Sequence, residues 1–583
     1  MLKQCQEIFQ IEYNTKGEAL ITNNYTLDEG IYILVNKNYE AQEPFIFVKP
    51  KKLKQGKEAE KIDRNSEYNM FAEMDYYSKL IEMNKPIDPK KAIHSNNLYS
   101  VWVKAENLSN GKLTDQIIDG YFNVLANPQA KYKKSKILSE LYQNVEEQVG
   151  EVDLDKLEKN REWIKNNIFN YGYQTKGYVK IYFEADIAIY KQEAERYLKV
   201  NIFNKPETII KTKDDIIGAP SNNFGLNDNK VYLRNKTRKC DVPYLITAEE
   251  AILQKKFFDY LYNEAVAGNR YIYIDTSKKM IMPTNGILSQ DDGKDFNGYL
   301  LQVQKGKEEL EILDCDILAN YSNKVENFKA REIFEDSYTH SGDDGIAVGE
   351  YTKLEDIQKL VHRLFFSKFI VYRGDVSSTL KDSVVRESIY MYRKAFEEWF
   401  YKGNTIPVSA CIDKLSTRLI ANSLEQGYFP RARRQFVLAD AIKCYLNKES
   451  ETMADVANKL IGELTQKVSS KSNEVLESDE QYYVAVGQML YYLQSYSKAG
   501  KNMQNFINPV LNSKSDKRIK DILMQLYKRY NYDMYAGSRR FNNLYSMVLG
   551  YTPENKVDEN FIIYGYLTNN ILFTKEKGEQ TNE

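Results

Sequence analysis

The stretch Thr452-Met453-Ala454-Asp455-Val456-Ala457-Asn458-Lys459-Leu460-Ile461 begins the clearest helical pattern in the sequence. Threonine often caps a helix N-terminus with its side-chain oxygen, so Thr452 marks the start of this helix. Apolar residues then recur every three or four positions, which is the spacing of one buried face of an α-helix. That face consists of Met453, Val456, Ala457, Leu460, Ile461, Leu464 and Val468. The stretch therefore predicts a helix that packs within an all-α region.

Similar patterns lie on both sides of this helix. Downstream, Ser478 and Ser515 begin two further amphipathic helices, and a last helical pattern runs over residues 558–572. Upstream, Thr352-Lys353-Leu354-Glu355 resembles a capping box ahead of another apolar stripe. Because short connections between amphipathic helices favour antiparallel packing, we expect residues 351–583 to form a helical bundle.

The first 350 residues have a different pattern, in which short β-branched and aromatic runs alternate irregularly with helical stretches. The runs lie at residues 31–35, 44–48, 99–103 and 178–183. Residues 271–274 and 280–282 flank Ser277-Lys278-Lys279, which predicts a hairpin, and a helix is expected after a cap at Thr247. Strands and helices do not alternate in the regular order of a doubly wound sheet. We expect an irregular α+β domain over residues 1–350 and an α+β fold class for the chain.

Composition narrows the class of protein. The chain has 583 residues, of which 42% are hydrophobic and 28% are charged, as in a globular protein. No run of 18 apolar residues occurs, and the first residues have no signal-peptide core, so we expect no membrane partner. Five cysteines are spread singly without a C-x-x-C pair, which argues against a zinc site and is typical of the cytoplasm.

Sequence signatures of catalysis are missing. The chain has three histidines and contains neither a phosphate-binding loop nor an H-E-x-x-H or G-x-S-x-G motif. The segment Asp88-Pro89-Lys90 is weakly similar to part of a nuclease core, but no partner acid is apparent. We therefore expect no catalytic residues, no metal and no cofactor.

Basic residues are clustered, although the net charge is only -1. Residues 501–540 hold nine basic and three acidic residues, interleaved with aromatic side chains. Basic clusters that are segregated from acids and mixed with aromatics favour binding of nucleic acid. The 46 tyrosines fit such a stacking surface, and they also fit the codon usage of an AT-rich genome. The candidate contact residues are Asn222, Asn223, Lys230, Arg234, Lys236, Arg238, Lys239, Arg431, Arg433, Arg434, Lys517, Arg518, Lys528, Arg529, Arg539 and Arg540.

Three blocks of sequence resemble the Csh-type large subunit of the type I-B CRISPR Cascade complex. The first begins at Leu20-Ile21-Thr22-Asn23-Asn24-Tyr25, and the second at Asn84-Lys85-Pro86-Ile87-Asp88-Pro89. The third runs from Ser221-Asn222-Asn223-Phe224-Gly225 to Thr247. The order of an α/β part and a helical tail extends the resemblance over the chain. Some related large subunits carry a zinc-binding cysteine cluster, which these scattered cysteines cannot supply.

The resemblance implies a non-catalytic subunit of an RNA-guided surveillance complex with a role in antiviral defence. Such a subunit contacts the guide crRNA, the backbone subunits and the subunit that binds the 5′ handle. It recognises the protospacer-adjacent motif (PAM) in double-stranded target DNA, aids duplex opening and recruits the helicase-nuclease. Residues 222–239 are then expected to contact DNA, or else to position guide RNA or a partner subunit.

The helical tail resembles the small subunit of these complexes, which lines the path of unwound DNA. In this family the small subunit can be made separately by internal initiation, and Met453 is the candidate start for a product of residues 453–583. Alternatively, Met453 is only a core residue. Two other functions stay open at this point, namely a divergent nucleic-acid-cleaving enzyme and a scaffold that binds proteins only.

Overall fold

The computed structural model describes residues 1–49, 62–80, 85–171, 176–203, 205–212, 215–221, 245–289, 295–306, 310–334, 345–449, 453–497, 507–532, 534 and 538–573. The chain divides into two compact units. The first unit comprises Met1–Gly286 and Phe296–Ala319, and the second comprises Ile287–Asp295 and Asn320–Glu583. This division lies earlier in the chain than the boundary at residue 350 that the sequence predicts.

The first unit is mixed α+β. Its helices are α1 (Leu2–Lys16), α2 (Ala19–Thr22), α3 (Ser66–Ser78), α4 (Ala105–Ser109), α5 (Asp115–Ala126), α6 (Pro128–Tyr132), α7 (Lys136–Val149), α8 (Leu154–Asn167), α9 (Ile187–Asn201) and α10 (Ala248–Ala267). Its strands are β1 (Gly30–Val35), β2 (Phe45–Phe47), β3 (Ser100–Lys104), β4 (Tyr178–Phe183), β5 (Ile210–Lys211), β6 (Ile216–Gly218), β7 (Ile246–Thr247), β8 (Tyr271–Asp275), β9 (Met280–Thr284), β10 (Phe296–Lys305) and β11 (Leu310–Tyr321). The expected α+β character is confirmed.

Two four-stranded sheets organise the first unit. One has the strand order β2-β1-β4-β3, with β1 and β4 parallel and the outer pairs antiparallel. The other has the order β11-β10-β8-β9, and its β8–β9 hairpin confirms the predicted turn. In that turn the Asp275 carboxylate accepts hydrogen bonds from the backbone N–H groups of Ser277 and Lys278, both at 2.8 Å. The predicted cap at Thr247 is also confirmed, because it forms a complete capping box with Glu250.

A buried lysine lies at the centre of the first sheet. The Nζ atom of Lys180 is 2.6 Å from a carboxylate oxygen of the equally buried Asp75 and 3.3 Å from Asp28. It also lies 3.7 Å from the centroid of the Trp102 ring. Burial raises the pKa of the Asp28 carboxyl, but the ammonium groups of Lys180 and Lys49 outweigh this effect and hold the pKa at about 2. Ion pairing and cation–π contact together offset the cost of burying this charge.

Many tyrosines are buried rather than displayed as a stacking surface. Tyr32, Tyr68, Tyr121, Tyr182 and Tyr190 are among the largest fully buried side chains. Their hydroxyl groups find partners inside the core. For example, the Tyr190 hydroxyl lies 2.8 Å from the carbonyl oxygen of Phe183 and 2.9 Å from that of Tyr99. Tyrosine here fills core volume while its polar end stays hydrogen-bonded.

The second unit consists of one β-hairpin followed by helices. Its elements are β12 (Lys324–Ala330), β13 (Gly349–Lys353), α11 (Leu354–Leu364), α12 (Ser383–Lys402), α13 (Ile406–Ser409), α14 (Ile412–Glu425), α15 (Phe429–Asn447), α16 (Met453–Ser469), α17 (Asp479–Ser495), α18 (Ile507–Leu511), α19 (Asp516–Tyr530), α20 (Arg539–Gly550) and α21 (Glu559–Leu567). Strand β12 packs on α15, and β13 packs on α11. The C-terminal helical region is confirmed.

Two predicted details of this unit are wrong. Thr352 does not cap α11, because it lies in β13, paired with β12, and the helix begins after Lys353 without a side-chain cap. The last helix ends at Leu567 rather than at residue 572. Beyond it, the side chain of Gln488 accepts a hydrogen bond from the backbone N–H of Ile571 at 2.8 Å, which replaces helical hydrogen bonding. The predicted cap at Thr452 lies outside the described residues.

Helix α17 forms the centre of the C-terminal bundle. It contacts α16, α19, α20 and α21, and 14 of its 17 residues are buried. The predicted cap at Ser478 is confirmed, since its side chain accepts a hydrogen bond from the backbone N–H of Gln481. The helices around α17 present their polar faces outward, which positions α19 and its charged residues on the surface.

Candidate nucleic-acid interface

The first predicted contact block lies outside the described residues. Its members are Asn222, Asn223, Lys230, Arg234, Lys236, Arg238 and Lys239. The structure does describe the chain on both sides of it. Strand β6 precedes the block and β7 follows it, and the two strands pair antiparallel with Gly218 opposite Ile246. The segment therefore leaves and re-enters the fold at neighbouring positions of one small sheet.

The arginines of the second block lie on the first turns of α15 and are half-buried. The Nη2 atom of Arg431 donates to the Ser367 hydroxyl at 2.6 Å, and Nε of Arg433 donates to the carbonyl oxygen of Leu567 at 2.8 Å. The Arg433 guanidinium also lies 5.6 Å from the centroid of the Phe334 ring. Arg434 has partners within the chain as well. These guanidinium groups hold α15 against neighbouring segments.

Helix α19 carries four residues of the third block and forms for local reasons. Ser515 caps its N-terminus by accepting a hydrogen bond from the backbone N–H of Arg518, as predicted. Asp516 lies in the first turn, and Lys528 and Arg529 lie in the last turn, which suits the helix dipole at both ends. Ile519, Ile522, Leu523, Leu526 and Tyr530 form the buried face.

The opposite face of α19 is basic. Lys517, Arg518, Lys528 and Arg529 are exposed, and none of the four has an ion pair within the described parts of the chain. Each lysine and each arginine is 11 residues from its counterpart, so the pairs share a face and lie about 16 Å apart. We call this surface the α19 basic face. Its length matches several successive phosphates of one strand.

The acidic residues of α19 do not neutralise this face equally. Asp516 is turned toward its own bundle, where it lies 2.9 Å from Nζ of Lys520 and accepts a hydrogen bond from the Tyr482 hydroxyl. Lys520 in turn donates to the carbonyl oxygen of Tyr551. Asp521 is the remaining acid of the helix. The α19 basic face therefore combines four exposed cations with one half-buried carboxylate.

Aromatic residues near α19 divide into buried and exposed groups. Tyr527 packs against Phe541 and Tyr545, with ring centroids 5.6 Å and 4.9 Å away, and Tyr530 is buried. Tyr532, just beyond the helix, has 73% of its surface exposed. It is the aromatic side chain best placed to stack on an unpaired base beside the cations. Phe506 and Tyr535, which the sequence also suggested, lie outside the described residues.

Arg539 and Arg540 begin α20 and differ in environment. Arg539 is exposed, whereas Arg540 is half-buried and its Nη1 atom lies 3.4 Å from the carbonyl oxygen of Ile571. The structure thus brings Lys517, Arg518, Lys528 and Arg529 together on one helix and places Arg431, Arg433 and Arg540 in internal contacts. Sequence analysis missed these internal partners, because the acceptors are backbone carbonyls distant in sequence.

Asp88, the acid considered for a nuclease, stabilises a turn. It is buried, and its carboxylate accepts hydrogen bonds from the backbone N–H groups of Lys90, Ala92 and Ile93 at 2.6–3.0 Å. Across the residues that the structure describes, no group of three His, Cys, Asp or Glu side chains could hold a metal ion. In the same residues, no helix has the length and apolar character needed to cross a bilayer.

Comparison with known proteins gives no relative for this chain. No protein-family model, no curated protein and no solved structure matches it.

Proposed function

We propose that this chain is the non-catalytic large subunit of a type I-B CRISPR Cascade complex and binds nucleic acid through the α19 basic face. The observation that carries the binding role is the set of four exposed cations, Lys517, Arg518, Lys528 and Arg529, without ion pairs among the described residues. The resemblance in sequence supplies the class of complex. Within it, base pairing with the guide crRNA reads the target, and protein cations hold backbones.

The α19 basic face would act on the phosphate backbone rather than on bases. Lysine and arginine contacts to phosphate release counterions, so they provide affinity that falls as the salt concentration rises. A straight helix face with two pairs of cations suits one extended strand, such as DNA unwound from the duplex. Tyr532 adds an exposed ring next to the cations. The bundle is thus suited to the strand-lining role of the small subunit that its sequence resembles.

The remaining parts of the proposal follow from the resemblance. The first unit would contact the guide, the 5′-handle-binding subunit and the PAM of double-stranded DNA, with residues 222–239 as the contact segment. The chain would work in the cytoplasm with the backbone subunits, the small subunit and the helicase-nuclease.

Contacts at the start of the bundle support the proposal that residues 453–583 are also made separately. The backbone N–H of Met453 lies 3.3 Å from a carboxylate oxygen of Asp440, and Arg331 pairs with Asp455 at 2.5 Å. A cavity of about 780 Å³ lies beside them, lined by residues of α14, α15, α16 and α21. Burial raises the pKa of Asp440 to about 6 despite the hydrogen bond from Met453. Polar contacts around a wet cavity hold two folded parts together more weakly than a continuous apolar core would.

The proposed function is tested with a double charge reversal, Lys517→Glu/Lys528→Glu. Binding of DNA by the assembled guide complex is measured over a range of salt concentrations, with targets that differ only beside the guide-matched segment. We expect weaker binding and a slope of log K against log salt that is smaller by about 2, since each lost phosphate contact removes about 0.9.

The matched control is Lys394→Glu/Lys414→Glu, which makes the same charge change at exposed lysines on α12 and α14. This control should leave the slope nearly unchanged. Equal effects of the two double variants would contradict a local binding face. If the chain adds neither affinity nor preference among flanking bases, the DNA role fails and a protein-only scaffold replaces it. Metal-dependent cleavage that Asp88→Asn abolishes would instead support the nuclease.

A further inference from the structure

The first unit contains a small cavity between α3, α9 and α10 that the proposed function does not use. Its volume is about 120 Å³. An engineered protein cavity of about 150 Å³ binds benzene, so this volume admits one six-membered ring with few substituents. Tyr76 and Tyr77 of α3 and Leu198 and Ile252 of α9 and α10 provide aromatic and aliphatic walls. Such walls suit a flat ring.

Two oxygen atoms of residues that line this cavity are buried without hydrogen-bond partners. The Asn96 side chain is part of a residue that is only 4% exposed, and its Oδ1 atom has no partner. The Oε2 atom of Glu18 has none either, whereas Oε1 of Glu18 lies 2.8 Å from Nζ of Lys256 and 3.3 Å from that of Lys191. Burial raises the pKa of Glu18, but Lys256 outweighs this effect and the pKa is lowered, so the carboxylate is ionised. An unused buried acceptor is costly, and a ligand with N–H donors would satisfy it.

The charge around the cavity favours an anion. Five lysines and two glutamates line it, which leaves three positive charges in excess. Lys79 is exposed and has no ion pair among the described residues, and the Lys191 side chain is 41% exposed. A ligand that fits all of these features has a six-membered ring, an amino group that donates hydrogen bonds, and a negatively charged tail.

We propose that this cavity binds the base of a cytidine nucleotide. The exocyclic amino group of cytosine donates to Glu18 and Asn96, and the phosphate lies near Lys79 and Lys191. Carboxylates accept hydrogen bonds from this amino group in known base recognition. Uracil presents a carbonyl oxygen at the same position, which would face the Glu18 carboxylate without a proton between them. The larger ring system of a purine exceeds the volume of the cavity.

Two sources could supply such a base, namely a free nucleotide and an unpaired cytosine in a guide or target strand. The recognition chemistry is the same in both cases. The inference rests on the proposed nucleic-acid function only for the second source, because binding of a mononucleotide does not require the α19 basic face.

The test is isothermal titration calorimetry of the full chain with cytidine monophosphate, uridine monophosphate and inorganic phosphate. We expect the cytidine nucleotide to bind at least about tenfold more tightly than the uridine nucleotide, the discrimination that base-edge hydrogen bonds provide. Asn96→Leu, which keeps the volume and removes the acceptor, should weaken cytidine binding by about tenfold. The control Asn69→Leu, at an exposed position of α3, should leave binding unchanged.

A second variant keeps the test decisive if Asn96→Leu folds poorly. Glu18→Gln preserves the shape of the side chain but offers an amide that can donate to the uracil carbonyl, so the preference for cytidine over uridine should disappear. Equal binding of both nucleotides by the unaltered chain, or binding of neither, would overturn the proposal. Binding of phosphate as tightly as the cytidine nucleotide would overturn the base contact.

Oligonucleotides that end in an unpaired cytosine or uracil distinguish the two sources. A preference for terminal cytosine that Asn96→Leu removes supports a strand as the source, and selective binding of the mononucleotide alone supports the free nucleotide. The variant Lys517→Glu/Lys528→Glu should still bind cytidine monophosphate. Its loss of duplex binding with retained nucleotide binding would show that the cavity and the α19 basic face act independently.

Discussion

Gly487 on α17 and Gly565 on α21 lie against each other where the two helices cross. A Cβ atom added to Gly487 would lie 2.2 Å from the carbonyl oxygen of Ile562, and one added to Gly565 would lie 2.2 Å from that of Val484. Backbone atoms of both helices occupy the space that any larger residue would need. The Gln488 side chain strengthens the same crossing by donating to the carbonyl oxygen of Gly565 at 2.5 Å.

Alanine at either glycine is therefore expected to destabilise the bundle. Gly487→Ala or Gly565→Ala should lower the free energy of unfolding by about 1–3 kcal/mol, because the helices must move apart. Chemical denaturation measures the change. Gly462→Ala in α16 is the matched control, since no atom lies within 4 Å of its added Cβ. That substitution should stabilise the chain by about 0.5–1 kcal/mol, and a loss of stability there as large as at Gly487 would contradict the crossing.

The buried ion pair of the first unit gives a second prediction. Lys180→Met leaves the buried Asp75 carboxylate without its cation and should cost about 3–5 kcal/mol in the free energy of unfolding. The double variant Lys180→Met/Asp75→Asn should recover at least half of that loss. Lys211→Met, which breaks an exposed pair with Glu140, should cost less than about 1 kcal/mol. Equal losses at Lys180 and Lys211 would show that burial does not determine the energetics.

Acid should weaken the second unit through His362. Burial lowers the pKa of this side chain to about 4, whereas an unfolded histidine titrates near 6.5. Between these two pH values the unfolded chain binds more protons, so stability is lost as the pH falls from 6.5 toward 4. Relative to His362→Gln, the unaltered chain should lose about 2–3 kcal/mol over this range. Denaturation curves at several pH values that run parallel for the two proteins would refute this prediction.

Arg433 should affect stability more than DNA binding. Its guanidinium donates to the carbonyl oxygen of Leu567, so Arg433→Gln should lower the melting temperature by leaving that buried acceptor without its donor. DNA affinity at a temperature where the variant is folded should change less than it does for Lys517→Glu/Lys528→Glu. If the binding loss at Arg433 is the larger one, the guanidinium contacts the nucleic acid directly.

The bundle itself should fold as a fragment. Residues 453–583 have their own core around α17, so the isolated fragment should give a helical circular dichroism spectrum and a cooperative thermal transition. Detection of a product with its N-terminus at Met453 in cells that express the full gene tests internal initiation. A shorter product that begins elsewhere would rule out this start.

Local signals in the sequence predicted much of the helical half. The caps at Ser478 and Ser515 and the apolar stripe of α19 depend only on neighbouring residues, and the structure confirms them. Helix α17 was harder, because it is buried on all sides and carries glutamine in its core. Gln488 is fully buried, and its partners, Gly565 and Ile571, are some 80 residues away in sequence. Periodicity places such a residue on the surface.

The candidate site shows the same limit. Charge clustering identified the α19 basic face, since exposed cations need no partner to be recognised in a sequence. It also identified Arg431 and Arg433, whose roles depend on Ser367 and Leu567, which the fold brings to them from other elements. The cavity beside Asn96 leaves no local signal, because residues from four separate parts of the chain line it.

The pairing of Gly218 with Ile246 has a consequence for engineering. Because the two strands are direct neighbours, the scaffold closes on itself at this position whatever lies between them. The intervening segment is therefore an exchangeable cassette, and a short linker or the corresponding segment of another protein can be grafted there without redesigning the surrounding sheet. Specificity for a target could then evolve, or be selected in the laboratory, separately from the stability of the scaffold.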